Sequence, residues 1–187
     1  MIFSEIEKAN ILRTKETLKS LLNKDPFYLL LNKTVMNNCF VAGGIFATLL
    51  REEKYNDIDV FFRSYSSRED MRSYLKNNLS SLSKFPSVEE TNSSAKYAIT
   101  VRESGVSYIV EQKSICGSPE TIKKSFDFVH CLAHYCMNAD KLFISKYTYD
   151  ACMNKWLIVN PTSGLTKGTV PQYRVDKFIG LGYTWRD

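Results

Sequence analysis

Apolar positions along the chain follow two different periods. Ile6, Ile11, Leu12, Leu18, Leu21 and Leu22 recur at helical spacing among Lys and Glu, which predicts an amphipathic helix over residues 4–23 that stops before Asp25-Pro26. Shorter apolar runs follow. Phe27–Leu31 is one, and Cys39–Ala42, bounded by Asn37-Asn38 and Gly43-Gly44, reads as a buried strand leading into a helix from Ile45 to Glu53. Asp57–Arg63 alternates acid and hydrophobe before Phe61-Phe62, so it reads as a strand whose Asp side chains share one face.

Further on, Ser66 and Glu69 have capping-box spacing for a helix from Ser67 to Asn78, and the Ser-rich residues 80–94 read as a loop. Lys96–Arg102 and Val106–Lys113 flank Glu103-Ser104-Gly105 as a hairpin. Ser118-Pro119-Glu120 supplies a cap, a proline for the first helical position and an early acid, which predicts a short helix to Lys124. Phe126–His134 is a strand candidate, Asn138-Ala139-Asp140 a turn into Lys141–Lys146, and Tyr149–Trp156 a helix. Gly164, Gly168 and Pro171 mark a loop before a last helix near Arg174–Ile179. Alternating strand and helix signals of this kind predict an α/β (α+β) fold: a mixed, largely antiparallel sheet flanked by helices. The expected organisation is a core over residues 1–137 and a small C-terminal extension, 138–187, packed on the same domain and covering one side of a cleft.

Composition narrows this picture. With 187 residues, 44% hydrophobic and 24% charged, the chain suffices for one hydrophobic core and is neither a disordered nor a collagen-like sequence. Five cysteines without paired spacing, mostly inside apolar stretches, predict reduced core thiols and a cytoplasmic location. No apolar run approaches the roughly 20 residues of a membrane span, so no membrane partner is expected. The net charge of +5 suits a polyanionic partner without requiring one.

The chemistry concentrates in Val41-Ala42-Gly43-Gly44-Ile45 and, after a spacer ending at Asn56, Asp57-Ile58-Asp59-Val60. Glycines at a strand-to-helix junction allow backbone amides to approach a phosphate, and the helix start adds partial positive charge. Two carboxylates at i and i+2 on a strand project from one face, where together they suit a divalent cation, Mg²⁺ or Mn²⁺. A β-branched side chain at Gly44 is expected to harm both phosphate binding and folding.

These residues resemble the signature of the nucleotidyltransferase superfamily, the DNA polymerase β-like fold: Gly-Gly or Gly-Ser, about a dozen residues, then Asp-hydrophobic-Asp-hydrophobic. Gly43, Gly44, Asp57 and Asp59 match it position by position, and the order of elements is similar over residues 38–113. The runs Gly117–Phe128 and Arg174–Phe178 are similar to compact nucleotidyltransferase-like proteins of large DNA viruses and phages. The resemblance implies Mg²⁺-dependent transfer of a nucleoside monophosphate from an NTP to a hydroxyl acceptor on RNA, protein or a small molecule, with Asp57 and Asp59 as metal ligands. It also implies a third carboxylate on the second hairpin strand, where this chain departs from the pattern. Glu111 and Asp127 are the two candidates.

Other readings accompany these. Arg174 and Lys177, about one helical turn apart, are placed to touch a triphosphate. The basic second half, with Lys123, Lys141, Lys155 and Lys167 among Tyr147, Tyr149, Trp156 and Tyr173, suits an RNA track as well as an ordinary solvated surface. His130, Cys131, His134 and Cys136 have spacing that zinc would accept, against which stands the ordinary reading of core histidines. An inactive nucleotidyltransferase-like module that binds nucleotide, RNA or protein is the alternative function.

Overall fold

The computed structural model describes residues 2–24, 38–55, 57–82, 88–92, 96–101, 106–112 and 116–186, with the backbone alone from 88 to 112. Its centre is a seven-stranded sheet in the order β3-β4-β5-β2-β1-β6-β7. The strands are β1 (Cys39–Ala42), β2 (Asp57–Phe62), β3 (Val88–Asn92), β4 (Lys96–Val101), β5 (Val106–Gln112), β6 (His134–Cys136) and β7 (Lys141–Phe143). Only β2 and β5 run parallel; every other neighbouring pair is antiparallel. The expected mixed, largely antiparallel sheet is what the chain forms.

Alternation along the strands divides the core in two. Cys39, Val41, Ile58, Val60, Phe62 and Tyr135 turn to one face and pack with Leu18 and Leu22 of α1 (Glu5–Lys24), Ile45, Phe46 and Leu49 of α2 (Ile45–Leu50) and Met71 of α3 (Tyr65–Leu82). Phe40, Ala42, Phe61 and Cys136 turn to the other, beneath Ile122 of α4 (Pro119–Lys123). Asp59 is the register partner of Ala42 and therefore belongs to this second face. A separate aromatic cluster joins Phe128 to Leu157, Val175, Phe178 and Tyr183, drawing in α6 (Gln172–Gly180) and the small parallel ribbon of β8 (Trp156–Leu157) and β9 (Thr184–Trp185).

Several boundaries differ from those read in the sequence, each for a local reason. Helix α2 ends at Leu50 rather than Glu53, because Glu52 adopts φ 57° and Arg51 turns away to bond the Cys152 carbonyl and, at 2.8 Å, Glu53. The cap of α3 is Ser64, whose Oγ accepts from the Ser67 amide at 3.2 Å, so the helix starts earlier than Ser66 and Glu69 suggested. Part of the expected 80–94 loop is ordered: α3 continues to Leu82 and Val88–Asn92 pairs with β4. Phe126–His134 is not a strand. Its centre is a 3₁₀ turn, Val129–Cys131, and the strand begins only at His134. Ser145 caps α5 (Lys146–Met153) by accepting from the Thr148 amide at 3.0 Å, which places that helix ahead of the expected Tyr149–Trp156.

The cap-and-proline start of α4 is as read, with Ser118 Oγ accepting from the Thr121 amide at 3.2 Å. Phe27–Leu31 and the Glu103-Ser104-Gly105 turn lie outside the described residues. Beyond residue 138 the chain adds β7 to the main sheet and packs α5 on α2 and on the 3₁₀ turn.

Candidate active site

The junction between β1 and α2 uses its two glycines differently. Gly43 has φ +96°, a backbone that side chains other than glycine's rarely adopt, and a Cβ built there would stand 3.0 Å from Asp59 Oδ2. The turn thus lies directly against the Asp59 carboxylate. Gly44 has an ordinary helical backbone, φ −67° and ψ −17°, and a Cβ there would meet nothing within 4 Å. A methyl group at Gly44 would therefore meet no crowding, whereas Gly43 is the conformationally constrained glycine. The free space at Gly44, at the start of α2, is what close approach of a phosphate requires.

Asp57 and Asp59 lie on one face of β2, Asp57 exposed and Asp59 partly buried. On the parallel neighbour β5, Ser107 is level with Asp57 and Ile109 with Asp59. Glu111 stands two positions beyond Ile109 and is paired across the hairpin with Tyr97.

Asp127 leaves the end of α4 in a bend rather than on a strand. Arg174 Nε donates to its Oδ2 at 2.7 Å, with the two side chains 31% and 17% exposed. Two residues that the sequence offered for separate roles are thus partners. Burial pushes the Cys131 thiol up to about 12, with smaller effects from Arg174, Asp59, Asp127 and Lys177. Gly43 and Asp59 form one contact, and Asp127 and Arg174 another.

His130 and His134 have structural surroundings. His130 is enclosed by Phe128, Phe178 and Tyr183, with the last two ring centroids each 4.5 Å away, and burial pushes its pKa down to about 3. His134 stacks on Phe143 at 4.8 Å, and burial, aided by Lys123 and Arg63, lowers it to about 4. Among the described residues no group of three or more His, Cys, Asp or Glu is placed to hold a metal ion.

Residues 10–155 match the family described as Gad2: Gabija anti-defense 2 family protein. The chain belongs to that family. No curated protein matches it. Among solved structures it is similar in fold to CCA-adding enzymes. The complex of one with ATP gives a TM-score of 0.58 at 16% identity, over 100% of this chain and 44% of that one. The Thermotoga maritima enzyme complexed with tRNA gives 0.56 at 17% identity, over 90% and 42%. A tRNA-processing enzyme with CTP gives 0.50 at 13% identity, over 80% and 40%. The chain spans less than half the length of these proteins, and the likeness is one of fold.

One residue near the site escaped sequence reading. Asn160 is fully buried; its amide donates to the Lys123 and Phe126 carbonyls at 2.8 Å each, and its backbone N–H to the Asp127 carbonyl at 2.8 Å. It fixes the segment that carries Asp127. In sequence it is an Asn before Pro161, a turn signal and nothing more.

Proposed function

We propose that this member of the Gabija anti-defense 2 family is a Mg²⁺-dependent nucleotidyltransferase. The observation that carries this reading is the contact between the Gly43 turn and the Asp59 carboxylate, with open space at Gly44 beside it. The residues fit a metal–triphosphate group: Asp57 and Asp59 would hold Mg²⁺ or Mn²⁺, and the start of α2 would receive phosphate. When bound, the metal would neutralise phosphate charge and promote ionisation of the attacking hydroxyl.

The chain's own residues then divide the work. Gly43 lets the turn close onto Asp59, and Gly44 leaves the backbone accessible. Lys177 adds positive charge for a polyphosphate. Arg174, paired with Asp127 at 2.7 Å, would add a second positive charge. Glu111 or Asp127 would supply the third carboxylate and accept the acceptor's proton.

The family's description names an action against Gabija, and the neighbours' descriptions name ATP, CTP and tRNA. From these we infer an NTP donor, an acceptor on RNA or protein, and a role in the cytoplasm of a host cell whose defence is being countered, as a viral or phage protein would have. A second reading is a nucleotide-binding module without transfer. It is favoured by the pairing of Asp127 with Arg174 and by Ile109 standing level with Asp59. Incubation with α-labelled NTPs, Mg²⁺ and host RNA or protein separates the two. Label in the acceptor fraction that disappears in the Asp57→Ala, Asp59→Ala double variant supports transfer; label that is equal in the two proteins refutes it.

A further inference from the structure

The face of the sheet that carries Asp59 continues outward through Ala42 and His134 to Phe143, each the register partner of the one before. Three strand spacings separate Asp59 from Phe143, roughly 14 Å at about 4.8 Å per strand. At that outer edge lies a cavity of about 420 Å³ lined by Lys123, Lys141, Leu132, Phe143, Ser145 and Thr148, among others. Its size suits a small organic ligand.

The charged groups that line the cavity are both cations. Lys123, at the end of α4, is half-buried, and burial lowers its pKa; Glu120 is the acid whose charge it feels, yet no carboxylate among the described residues pairs with it. Lys141 is likewise unpaired among the described residues, and its ammonium is held over the Phe143 ring at 4.9 Å. A cation–π contact fixes a cation without neutralising it. The start of α5 also lines the cavity, through Ser145 and Thr148, and a helix start favours negative charge. Thr148 is 2% exposed and accepts from Ser145 Oγ at 2.9 Å, which leaves its own hydroxyl proton to donate. By contrast Lys146, next in the chain, is taken up by Glu7 and Asp150. Two cations and two hydroxyls, beside an apolar floor that includes Leu132 and Leu142, describe the complement of a phosphate with an apolar or aromatic body.

We propose that this cavity binds a nucleoside 5′-monophosphate unit, its phosphate between Lys123, Lys141 and the start of α5 and its base against the apolar floor. At the outer edge of the sheet, three strands from Asp59, the site would hold a nucleotide outside the candidate active site. The unit comes either from a free nucleotide or from a nucleic-acid strand.

Binding is measured by calorimetry in EDTA with four probes: inorganic phosphate, adenosine, AMP and a short 5′-phosphorylated single-stranded RNA. AMP or the RNA is expected to bind and adenosine to bind far more weakly. Lys141→Ala and Lys123→Met, both checked for an unchanged melting temperature, should each weaken binding about tenfold or more, as loss of a charge-assisted contact does. Asp57→Asn with Asp59→Asn should leave it unchanged, which separates this site from the proposed transfer reaction. AMP binding alone identifies a free nucleotide, and RNA binding alone identifies a strand. Affinity for both that is equal in wild type and Lys variants, or no binding of AMP or RNA at millimolar concentration, overturns the proposal.

Discussion

The Gly43–Asp59 corner and the aromatic cluster around His130 lie close together and are built on opposite terms. At the corner, polar groups stand beside room: Asp57 is exposed, and a methyl group at Gly44 would touch nothing. In the cluster every position is filled, and His130 is wrapped by three aromatic rings. Yet the largest displacement of a side-chain pKa toward acid among the described residues belongs to the filled region, where burial, aided by Arg51 and Arg174, holds His130 neutral. A perturbed titration marks burial; an acid pair next to vacant space at a helix start marks a place for a ligand. The two regions should therefore respond to substitution in opposite ways, one through activity and the other through stability.

The sharpest contrast is expected from Asp59→Asn. Removing one of the two charges proposed to hold the metal should lower transfer by roughly a hundredfold or more, since metal stabilisation of the reacting phosphate is worth several kcal/mol. The melting temperature should stay within a few degrees of wild type. Unfolding of this variant would mean that Asp59 holds the fold rather than the chemistry.

Phe178→Ala probes the other region. Phe178 packs against Phe128, His130 and Tyr183, and its loss should cost about 3–5 kcal/mol in urea unfolding. Nucleotide affinity, measured where the variant is still folded, should fall far less than for Asp59→Asn.

Acid should act through the two buried histidines, one in the filled region and one on the sheet. His130 is held down to about 3 and His134 to about 4, whereas both would take up protons near 6.5 when unfolded. The unfolded chain binds more protons between those limits. Stability is therefore complete above about pH 6.5 and declines as pH falls toward 3, by on the order of a few kcal/mol. Urea midpoints from pH 7 to pH 4 should fall, and His130→Phe should flatten the decline. An unchanged slope in that variant would remove His130 from the explanation.

The smallest effects separate the two glycines. Gly43→Ala should destabilise by about 1–3 kcal/mol, since it forces a side chain into a left-handed backbone against Asp59. Gly44→Ala should leave the fold within about 1 kcal/mol of wild type while weakening NTP binding, because its methyl occupies the space beside the helix start. Equal effects from the two substitutions would erase the distinction between them.

Periodicity made most of the sheet and α1 legible, and the Gly-Gly to Asp-Ile-Asp spacing located the corner, because both signals are local. Phe126–His134 misled because an apolar run looks the same whether it forms a strand or winds through an aromatic core. The pairing of Asp127 with Arg174 spans 47 positions, and the clamp made by Asn160 depends on carbonyls 34 and 37 residues away. No local pattern encodes such contacts. The exchange of roles between Gly43 and Gly44 was hidden for a related reason: composition gives both glycines the same freedom, and only the path of β2 decides which of them needs it.

The most direct measurement is calorimetric titration of the wild-type protein and the Asp57→Asn, Asp59→Asn double variant with a non-hydrolysable NTP analogue, with and without Mg²⁺. The wild type should bind the analogue tightly only when Mg²⁺ is present, and the double variant should lose that Mg²⁺-dependent gain while remaining folded. An identical Mg²⁺-dependent affinity in both proteins would contradict the assignment of the β1–α2 corner and the two β2 carboxylates as the nucleotide site.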